Sequence, residues 1–252
     1  MIKEKDIEDK IIDFCYDIIQ NPLIYFSEAD LQQLLTEKLR TIPALKDLYN
    51  TNIAAGYGAD GKRSKKNYLT SAMHREYAGG DNTRIDIVIL NRKDISRINR
   101  IKSLKINSEY VDIDFGFELG TEKTDINKTI QHLEKDIEKL IQCCREKGYI
   151  IHFYRDSAIS GKYTKTREKT DKNIELKFKK VFEEAIHNDK KFDSYRQNKN
   201  KIKIISVLLS VSRRNETIKG KCKIYNNRKK KFEAVNINSE SKISNAIKNN
   251  LN

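Results

Sequence analysis

Apolar residues recur at helical spacing in several parts of this chain. The pattern predicts a first amphipathic helix over residues 4–20 and a second helix that runs from the favourable N-cap Ser27 through Leu39. A longer amphipathic pattern over about residues 124–146 predicts a third helix, and residues 171–188 predict a fourth. We therefore expect several helices, each with one apolar face that packs against a common core.

Runs rich in β-forming residues predict strands between these helices. Residues 68–77 and 84–90 are separated by a segment of Ala, Gly, Gly, Asp and Asn, which predicts a hairpin. Residues 110–119 alternate strictly, with apolar side chains on one face and mostly Asp, Gly and Glu on the other. Residues 149–154 follow the third helix as a further strand. A strand, a helix and a strand at this spacing predict two parallel neighbouring strands.

Further strands are predicted toward the C-terminus, over residues 203–211, 219–226 and 231–237. Together these elements favour an α/β fold in which helices flank a central mixed β-sheet. We expect residues 1–190 to form the core with its N-terminal helices. Residues 191–252 are expected to form a basic C-terminal extension that completes the same domain. Residues 50–66 are glycine-rich and basic, which predicts a loop.

Hydropathy and cysteine spacing exclude several classes of protein. No stretch approaches the roughly 18 consecutive apolar residues that a membrane-spanning helix needs, so no membrane partner is expected. No apolar run follows the polar segment MIKEKDIEDK, so we expect no secretory signal and a cytoplasmic location. The four cysteines have no zinc-ligand spacing, and we expect them to be reduced thiols.

The basic charge of the chain is concentrated near its C-terminus. The net charge is +14, and the segment from Lys191 onward holds 16 Lys and Arg residues against four acidic residues. A localised basic region is typical of a protein that binds a polyanion. The alternative is a lysine-rich surface that is simply solvated. We expect DNA as the partner, with RNA as the open alternative.

Three acidic residues arrive from separate predicted elements. Asp86 lies in the middle of an apolar strand, Glu118 lies near the end of the next long strand, and Glu28 lies near the start of the second helix. Such carboxylates together bind a hard divalent cation, Mg²⁺ or Mn²⁺, which can activate water against a phosphodiester. Each also has an ordinary interpretation, as a strand-edge, solvated or helix-dipole charge. Asp112 and Asp114 share the face of Glu118 and remain alternative ligands.

The segments FSEADLQQLL, HREYAGGDNTRIDIVIL and FELGTEKTDINKTIQHLEKDI resemble the PD-(D/E)XK nuclease superfamily, the fold of many restriction endonucleases. The resemblance covers roughly residues 25–155. It implies that Asp86 is the first motif acid and Glu118 the second, so that these two residues hold the metal. It further implies that Glu28 is an accessory helical glutamate and that Glu76 lies in the segment before the acidic strand.

The sequence departs from the pattern of this family at one position. The residue two after Glu118, where the family keeps its catalytic lysine, is Gly120. Lys123 or Lys128 could extend a long side chain into the space that glycine leaves, and Lys123 is the preferred candidate. Otherwise the fold is retained and cleavage is lost.

Other catalytic patterns are weaker or absent. The four histidines, His74, His132, His152 and His187, show no spacing for a metal-ligand set or a catalytic triad. His132 stays open because it lies on the helix that borders the predicted site. The sequence contains no G-x-S-x-G nucleophile elbow and no P-loop, so we expect neither serine hydrolase nor NTPase activity.

Basic residues on predicted loops are candidates for phosphate contacts, which supply affinity that depends on salt and not on sequence. They are Lys62, Arg63, Lys65, Lys66, Arg213, Arg214, Arg228, Lys229 and Lys230. We expect a metal-dependent nuclease that cleaves DNA in restriction or in defence against phages and mobile elements. Cleavage of both strands would favour a homodimer. The alternatives are a nucleic-acid-binding module that has lost catalysis, and an assembly subunit whose basic tail docks on an acidic partner.

Overall fold

The computed structural model describes residues 2–21, 24, 27–54, 67–78, 84–97, 111–122, 126–155, 183–212, 217–226, 228–229 and 231–235 of the chain. The helices in these ranges are α1 (Glu4–Gln20), α2 (Glu28–Leu39), α3 (Pro43–Lys46), α4 (Arg92–Ile95), α5 (Ile126–Cys143), α6 (Glu184–Asn188) and α7 (Asp193–Gln197), with a 3-10 turn at Lys190–Phe192. None of these described helices combines the length and the apolar character needed to cross a membrane.

The strands in the same ranges form two sheets. They are β1 (Leu48–Ala54), β2 (Asn67–Ser71), β3 (Met73–Ala78), β4 (Arg84–Leu90), β5 (Ile113–Glu122), β6 (Cys144–Arg155), β7 (Ile202–Ser212), β8 (Thr217–Asn226) and β9 (Lys231–Ala234). Strands β1 and β2 pair as an antiparallel ribbon. The other seven form one sheet in the order β3-β4-β5-β6-β7-β8-β9.

The large sheet is mixed, as the sequence predicts. Strand β6 runs parallel to both of its neighbours, β5 and β7, and the remaining pairs are antiparallel. The parallel β5–β6 pair is connected through α5, which confirms the predicted strand–helix–strand unit. The structure is therefore an α/β fold with a seven-stranded mixed sheet and helices packed against it.

Helices α1 and α5 cover opposite faces of β6. Phe14 of α1 stacks edge-on against Phe153, with ring centroids 5.7 Å apart. On the other face, Gly148 leaves room for Leu140 of α5, because a Cβ at Gly148 would lie 2.7 Å from the Leu140 Cβ. Residues 148 and 153 are five apart on one strand, and side chains alternate along a strand, so these two contacts lie on opposite faces.

The predicted bounds of the first two helices agree with the structure better than the predicted end of the third helix does. The helix over residues 4–20 is confirmed, and Ser27 caps α2 through a capping box with Asp30. The predicted third helix, in contrast, ends at Cys143, and β6 begins at Cys144. Cys144 is buried between sheet and helix, where its Sγ would lie 2.5 Å from a Cβ at Gly116. Tertiary packing therefore ends the helix earlier than its sequence pattern does.

The prediction of a single strand over residues 68–77 is wrong. The chain breaks at Ala72, so that β2 pairs with β1 and β3 pairs with β4 in a different sheet. The Ala72 carbonyl accepts a hydrogen bond from the backbone N–H of Leu90 at 2.7 Å, and the Ser71 hydroxyl accepts one from Met73. The prediction of a loop from residue 50 is also wrong at its start, since residues 50–54 belong to β1.

The four cysteines are free thiols in the structure. Cys15, Cys144 and Cys222 are buried and Cys143 is partly buried. The three C-terminal strands β7, β8 and β9 are members of the large sheet and not of a separate one. Residues 236–252, the end of the predicted basic extension, lie outside the described residues.

Candidate functional site

Asp86 and Glu118 lie next to each other on antiparallel strands. Ile87 of β4 is paired with Phe117 of β5. Because the two strands are antiparallel, Asp86 lies opposite Glu118, and both side chains are on one face of the sheet. Both side chains are buried, and the Asp86 Oδ2 accepts a hydrogen bond from the backbone N–H of Leu119 at 2.7 Å. The two carboxylates predicted to hold a metal are thus neighbours in the structure.

Helix α5 adds a carboxylate and an ammonium group to this face. The Lys139 Nζ lies 2.8 Å from the Glu118 Oε1 and 3.6 Å from the Asp136 Oδ1. Asp136 is buried. Lys139 follows it by three residues in α5, and residues three apart lie on the same face of a helix. We call Asp86, Glu118, Asp136 and Lys139 the carboxylate cluster.

Two histidines approach the other oxygen of Asp136. The Nε2 of His152 on β6 lies 3.1 Å from the Asp136 Oδ2, and the Nε2 of His132 on α5 lies 3.5 Å from the same oxygen. The two imidazole rings stack with centroids 5.1 Å apart. We call His132, Asp136 and His152 the histidine cluster. Asp136 joins the two clusters, because its Oδ1 faces Lys139 and its Oδ2 faces the imidazoles.

Glu28 lies beside both clusters. It is the first residue of α2, directly after the N-cap Ser27, so the capping box fixes its place at the start of the helix. Burial raises the pKa of Glu28 above its usual value, while the charges of His132 and His152 oppose the increase and that of Asp136 adds to it. The predicted accessory glutamate is therefore within electrostatic range of the site.

Glu76, in the segment before the acidic strand, has an unusual backbone. Its φ is 50°, which is in the left-handed region that non-glycine residues rarely adopt. Its carboxylate accepts a hydrogen bond of 2.8 Å from the Gln32 side chain of α2. This contact links the edge strand β3 to the helix that carries Glu28.

The buried carboxylates have strongly raised pKa values. Burial raises the pKa of Asp86 to about 7, although the hydrogen bond from the Leu119 backbone N–H opposes this increase. Burial, together with the negative charges of Asp136 and Asp86, raises the pKa of Glu118 to about 9, although Lys139 opposes the increase. Both carboxyl groups therefore favour the protonated form more than a solvated carboxyl does, and a bound divalent cation would favour the ionised form.

Gly120 faces the same side of the sheet as Glu118. Gly120 is paired with His152 on β6. Gly116 and Gly148 lie an even number of residues away on the same two strands, so all four positions are on the face that α5 covers. Position 120, where the PD-(D/E)XK pattern has its lysine, therefore lies next to α5. The ammonium group that the structure brings to Glu118 is that of Lys139 from this helix.

The remaining candidates for the site are two lysines and two strand aspartates. Lys123 lies outside the described residues, and Lys128 is an exposed residue of α5. Asp112 is exposed and pairs with Arg145 at 3.1 Å, while Asp114 accepts a hydrogen bond of 3.0 Å from Asn91. The two alternative strand aspartates thus have partners at the opposite end of β5 from Glu118.

Most of the predicted phosphate-binding residues also fall outside the described ranges, namely Lys62, Arg63, Lys65, Lys66, Arg213, Arg214 and Lys230. Arg228 and Lys229 are described, and both are exposed in the turn between β8 and β9. The Lys229 Nζ lies 2.8 Å from the Glu233 Oε1. The turn is thus accessible, and one of its two described cations already has an acidic partner.

Sequence reasoning missed Asp136, Lys139 and His152. It also found no metal-ligand spacing among the histidines, whereas the structure brings two of them to one aspartate. The available signal was the spacing of residues 132, 136 and 139, which places them on one face of a helix. That signal was incomplete because the remaining donor, His152, comes from the next strand and only the tertiary fold adds it.

The comparisons with known proteins give no assignment. No protein-family model, no curated protein and no solved structure matches this chain.

Proposed function

We propose that this chain is a metal-dependent nuclease that hydrolyses phosphodiester bonds in DNA. The observation that supports the proposal best is the convergence of the buried Asp86 and Glu118 with the partly buried Lys139. Two carboxylates on neighbouring strands and one adjacent ammonium group are the components that the PD-(D/E)XK pattern requires. A role in restriction or in defence against phages and mobile elements remains part of this proposal.

The donors of the carboxylate cluster fit Mg²⁺ or Mn²⁺. Asp86 and Glu118 offer carboxylate oxygens, which hard divalent cations prefer. Burial is the main cause of their raised pKa values, so a bound cation would stabilise the ionised forms that burial disfavours. When bound, such an ion supplies Lewis-acid polarisation of a phosphodiester. The hydrogen bond from the backbone of Leu119 holds the Asp86 carboxylate in one orientation. Asp86 and Glu118 therefore act as the ligands in this proposal.

Lys139 takes the role that the family pattern gives to a lysine at position 120. Burial alone would lower the pKa of Lys139, but the charges of Glu118, Asp136 and Asp86 outweigh burial and raise it. The side chain is therefore an ammonium ion at neutral pH and is a poor general base. It can stabilise the negative charge that develops on the phosphate, which is an electrostatic role.

Glu28 is proposed to assist from the edge of the cluster. Its place at the start of α2 is fixed by the capping box, so its carboxylate stays near Asp136 and the imidazoles. In this role Glu28 orients solvent beside the reacting phosphate and does not replace Asp86 or Glu118.

A nucleic-acid-binding protein without catalysis is the second candidate function. The 2.8 Å contact between Lys139 and Glu118 favours it, because an ammonium ion in direct contact with a carboxylate competes with a metal for that oxygen. In that case binding would be independent of Mg²⁺ and would survive the loss of Asp86.

The test is cleavage of plasmid and single-stranded DNA with Mg²⁺ or Mn²⁺. We expect Asp86→Asn and Glu118→Gln to abolish cleavage, and Lys139→Ala to reduce its rate by about 10²–10³-fold, the cost of removing one charge-stabilising donor. Lys123→Ala is measured beside it, since the sequence favours that lysine. Asp114→Asn, on the same strand as Glu118, is the control and should cleave as the parent does.

Two outcomes would contradict the assignment. Cleavage that is lost with Lys123→Ala and retained with Lys139→Ala would return the lysine role to Lys123. Absence of cleavage by the parent chain, with salt-sensitive DNA binding intact, would favour the non-catalytic candidate.

A further inference from the structure

The histidine cluster has the composition of a transition-metal site. His132 and Asp136 are four residues apart on α5, and His152 comes from the adjacent strand β6. One ligand atom from each of the three residues lies within 4.8 Å of the other two. Two imidazole nitrogens and one carboxylate oxygen form a donor set that differs from the all-oxygen set preferred by Mg²⁺.

Two of the three distances between donors are close to those around a tetrahedral ion. The Asp136 Oδ2 is 3.1 Å from the His152 Nε2 and 3.5 Å from the His132 Nε2. With metal–ligand bonds near 2.0–2.1 Å, tetrahedral geometry separates two donor atoms by about 3.3 Å. The two separations that involve Asp136 lie on either side of this value, and the two imidazole donors lie within 4.8 Å of each other.

Neighbouring groups hold the donors in place. The other ring nitrogen of His152, Nδ1, lies 3.4 Å from the Tyr154 hydroxyl, and the other oxygen of Asp136 faces Lys139. A ligand histidine usually has such a partner on its second nitrogen, which fixes the tautomer and the ring orientation. His152 and Asp136 are buried, whereas the His132 side chain is 41% exposed and leaves a route for an ion from solvent.

An ordinary buried histidine–aspartate pair would account for only part of this arrangement. Such a pair involves one imidazole, that of His152, although a carboxylate oxygen has lone pairs for two hydrogen bonds. Here a second imidazole, His132, points its Nε2 at the same oxygen and stacks on the first ring. A helix and a strand thus bring two imidazoles and one carboxylate together, and these are donors that a single transition-metal ion can share.

We infer that His132, Asp136 and His152 bind a transition-metal ion of the Zn²⁺ type, separately from the ion proposed at Asp86 and Glu118. The inference does not depend on nuclease activity, because it uses a different donor set. The site prefers Zn²⁺ or Co²⁺ to Mg²⁺, since imidazole nitrogen suits these ions. Glu28 lies beside the three donors, so α2 borders the same site.

The test is a titration of the full, metal-stripped chain with Co²⁺ in the absence of DNA, followed by visible absorption. The parent should show the intense d–d bands of four-coordinate Co²⁺, and Zn²⁺ should displace them while excess Mg²⁺ should not. His132→Asn should weaken Co²⁺ binding by more than about 10–100-fold, the loss typical of removing only a supporting partner of a ligand. His132 is partly exposed, so this variant is expected to fold, and far-UV circular dichroism checks it.

His187→Asn is the matched control, because His187 lies on α6 and hydrogen-bonds to Tyr225 away from the cluster. It should bind Co²⁺ as the parent does. Asp86→Asn separates the two sites: it should abolish cleavage and leave the Co²⁺ bands unchanged. The inference is overturned if the parent shows no intense bands, or if His132→Asn binds Co²⁺ with the affinity of the parent.

Discussion

At the residue scale, two glycines determine how closely α5 approaches the sheet. A Cβ at Gly116 would lie 2.8 Å from the Leu140 Cδ2, and one at Gly148 would lie 2.7 Å from the Leu140 Cβ. A side chain at Gly148 would displace the helix, because the Leu140 Cβ is fixed to its backbone, whereas one at Gly116 would displace side-chain ends of Cys144 and Leu140. Because α5 carries His132, Asp136 and Lys139, these glycines also set the distance between its side chains and the strand carboxylates.

Gly148→Ala should therefore destabilise the fold. An added methyl group in a closely packed interior forces neighbouring atoms to move, and the free energy of unfolding should fall by about 1–3 kcal/mol. Urea unfolding measures this change. Glu146→Ala, at an exposed position of the same strand, is the control and should change it by less than about 0.5 kcal/mol. Equal effects of the two substitutions on the free energy of unfolding would show that the helix accommodates a methyl group at position 148 beside Leu140.

The sequence identifies the strand acids of the site but not its helix residues. Asp86 is conspicuous because it interrupts an apolar strand, and Glu118 because it lies on the polar face of an alternating one. Asp136 and Lys139 lie on an amphipathic helix, where charged residues are ordinarily solvated. Only the crossing of α5 over β5 turns their side chains into the site, and the sequence pattern does not contain that geometry.

At the scale of elements, a buried ion pair joins α1 to β7. The Lys203 Nζ lies 2.6 Å from the Glu8 Oε1, and the Glu8 side chain is 3% exposed. Burial raises the pKa of Glu8 above its usual value, although the charges of Lys203 and Lys147 oppose the increase and that of Glu4 adds to it. Desolvation thus outweighs the attraction of the pair, as is common for buried ion pairs.

This pair predicts a pH dependence of stability. A carboxyl whose folded-state pKa exceeds its unfolded value of 4.5 binds its proton more tightly in the folded chain. Its stabilising contribution is complete below that value and is lost as pH rises through the folded-state pKa. Between pH 4 and pH 7, the parent should therefore lose more free energy of unfolding than Glu8→Gln does, as measured by urea unfolding.

Asp6→Asn is the control for this experiment, since Asp6 is an exposed residue in the first turn of the same helix. Its stability should follow that of the parent across the pH range. If Glu8→Gln also follows the parent, the ion pair with Lys203 compensates burial fully and the predicted dependence is wrong.

The fold was predictable where a pattern is local. The helix over residues 4–20, the cap at Ser27 and the parallel pair flanking α5 all follow from short-range periodicity. The division of residues 67–78 between two sheets does not, because β2 and β3 are separated by the single residue Ala72. Which sheet each strand joins depends on partners distant in the sequence.

At the scale of the whole molecule, the charge distribution is asymmetric. The segment from Lys191 onward holds 16 of the 50 basic residues but only four of the 36 acidic ones. In the structure this segment includes three strands at one side of the sheet, and the turn after β8 exposes Arg228 and Lys229. In the proposed function, this side supplies contacts to the phosphate backbone.

Replacement of Arg228, Lys229 and Lys230 with alanine should weaken DNA binding. Each lost phosphate contact removes about 0.9 from the slope of log affinity against log salt, so the slope should decrease by up to about 3. Fluorescence anisotropy at several salt concentrations measures it. A variant with Lys3, Lys5 and Lys10 changed to alanine has the same net charge and should retain most of the slope. Equal slopes for the two variants would show that net charge, and not this turn, governs binding.

The strand order of the large sheet has a consequence for its assembly. Each strand from β4 to β9 pairs with the strand that precedes it in the chain, so no strand has to insert between two that are already paired. The sheet can grow at a single edge, in the order in which a ribosome delivers the strands. All residues of the two clusters lie between Asp86 and His152, within β4, β5, α5 and β6. During synthesis, these residues emerge before the basic strands that are proposed to hold the substrate.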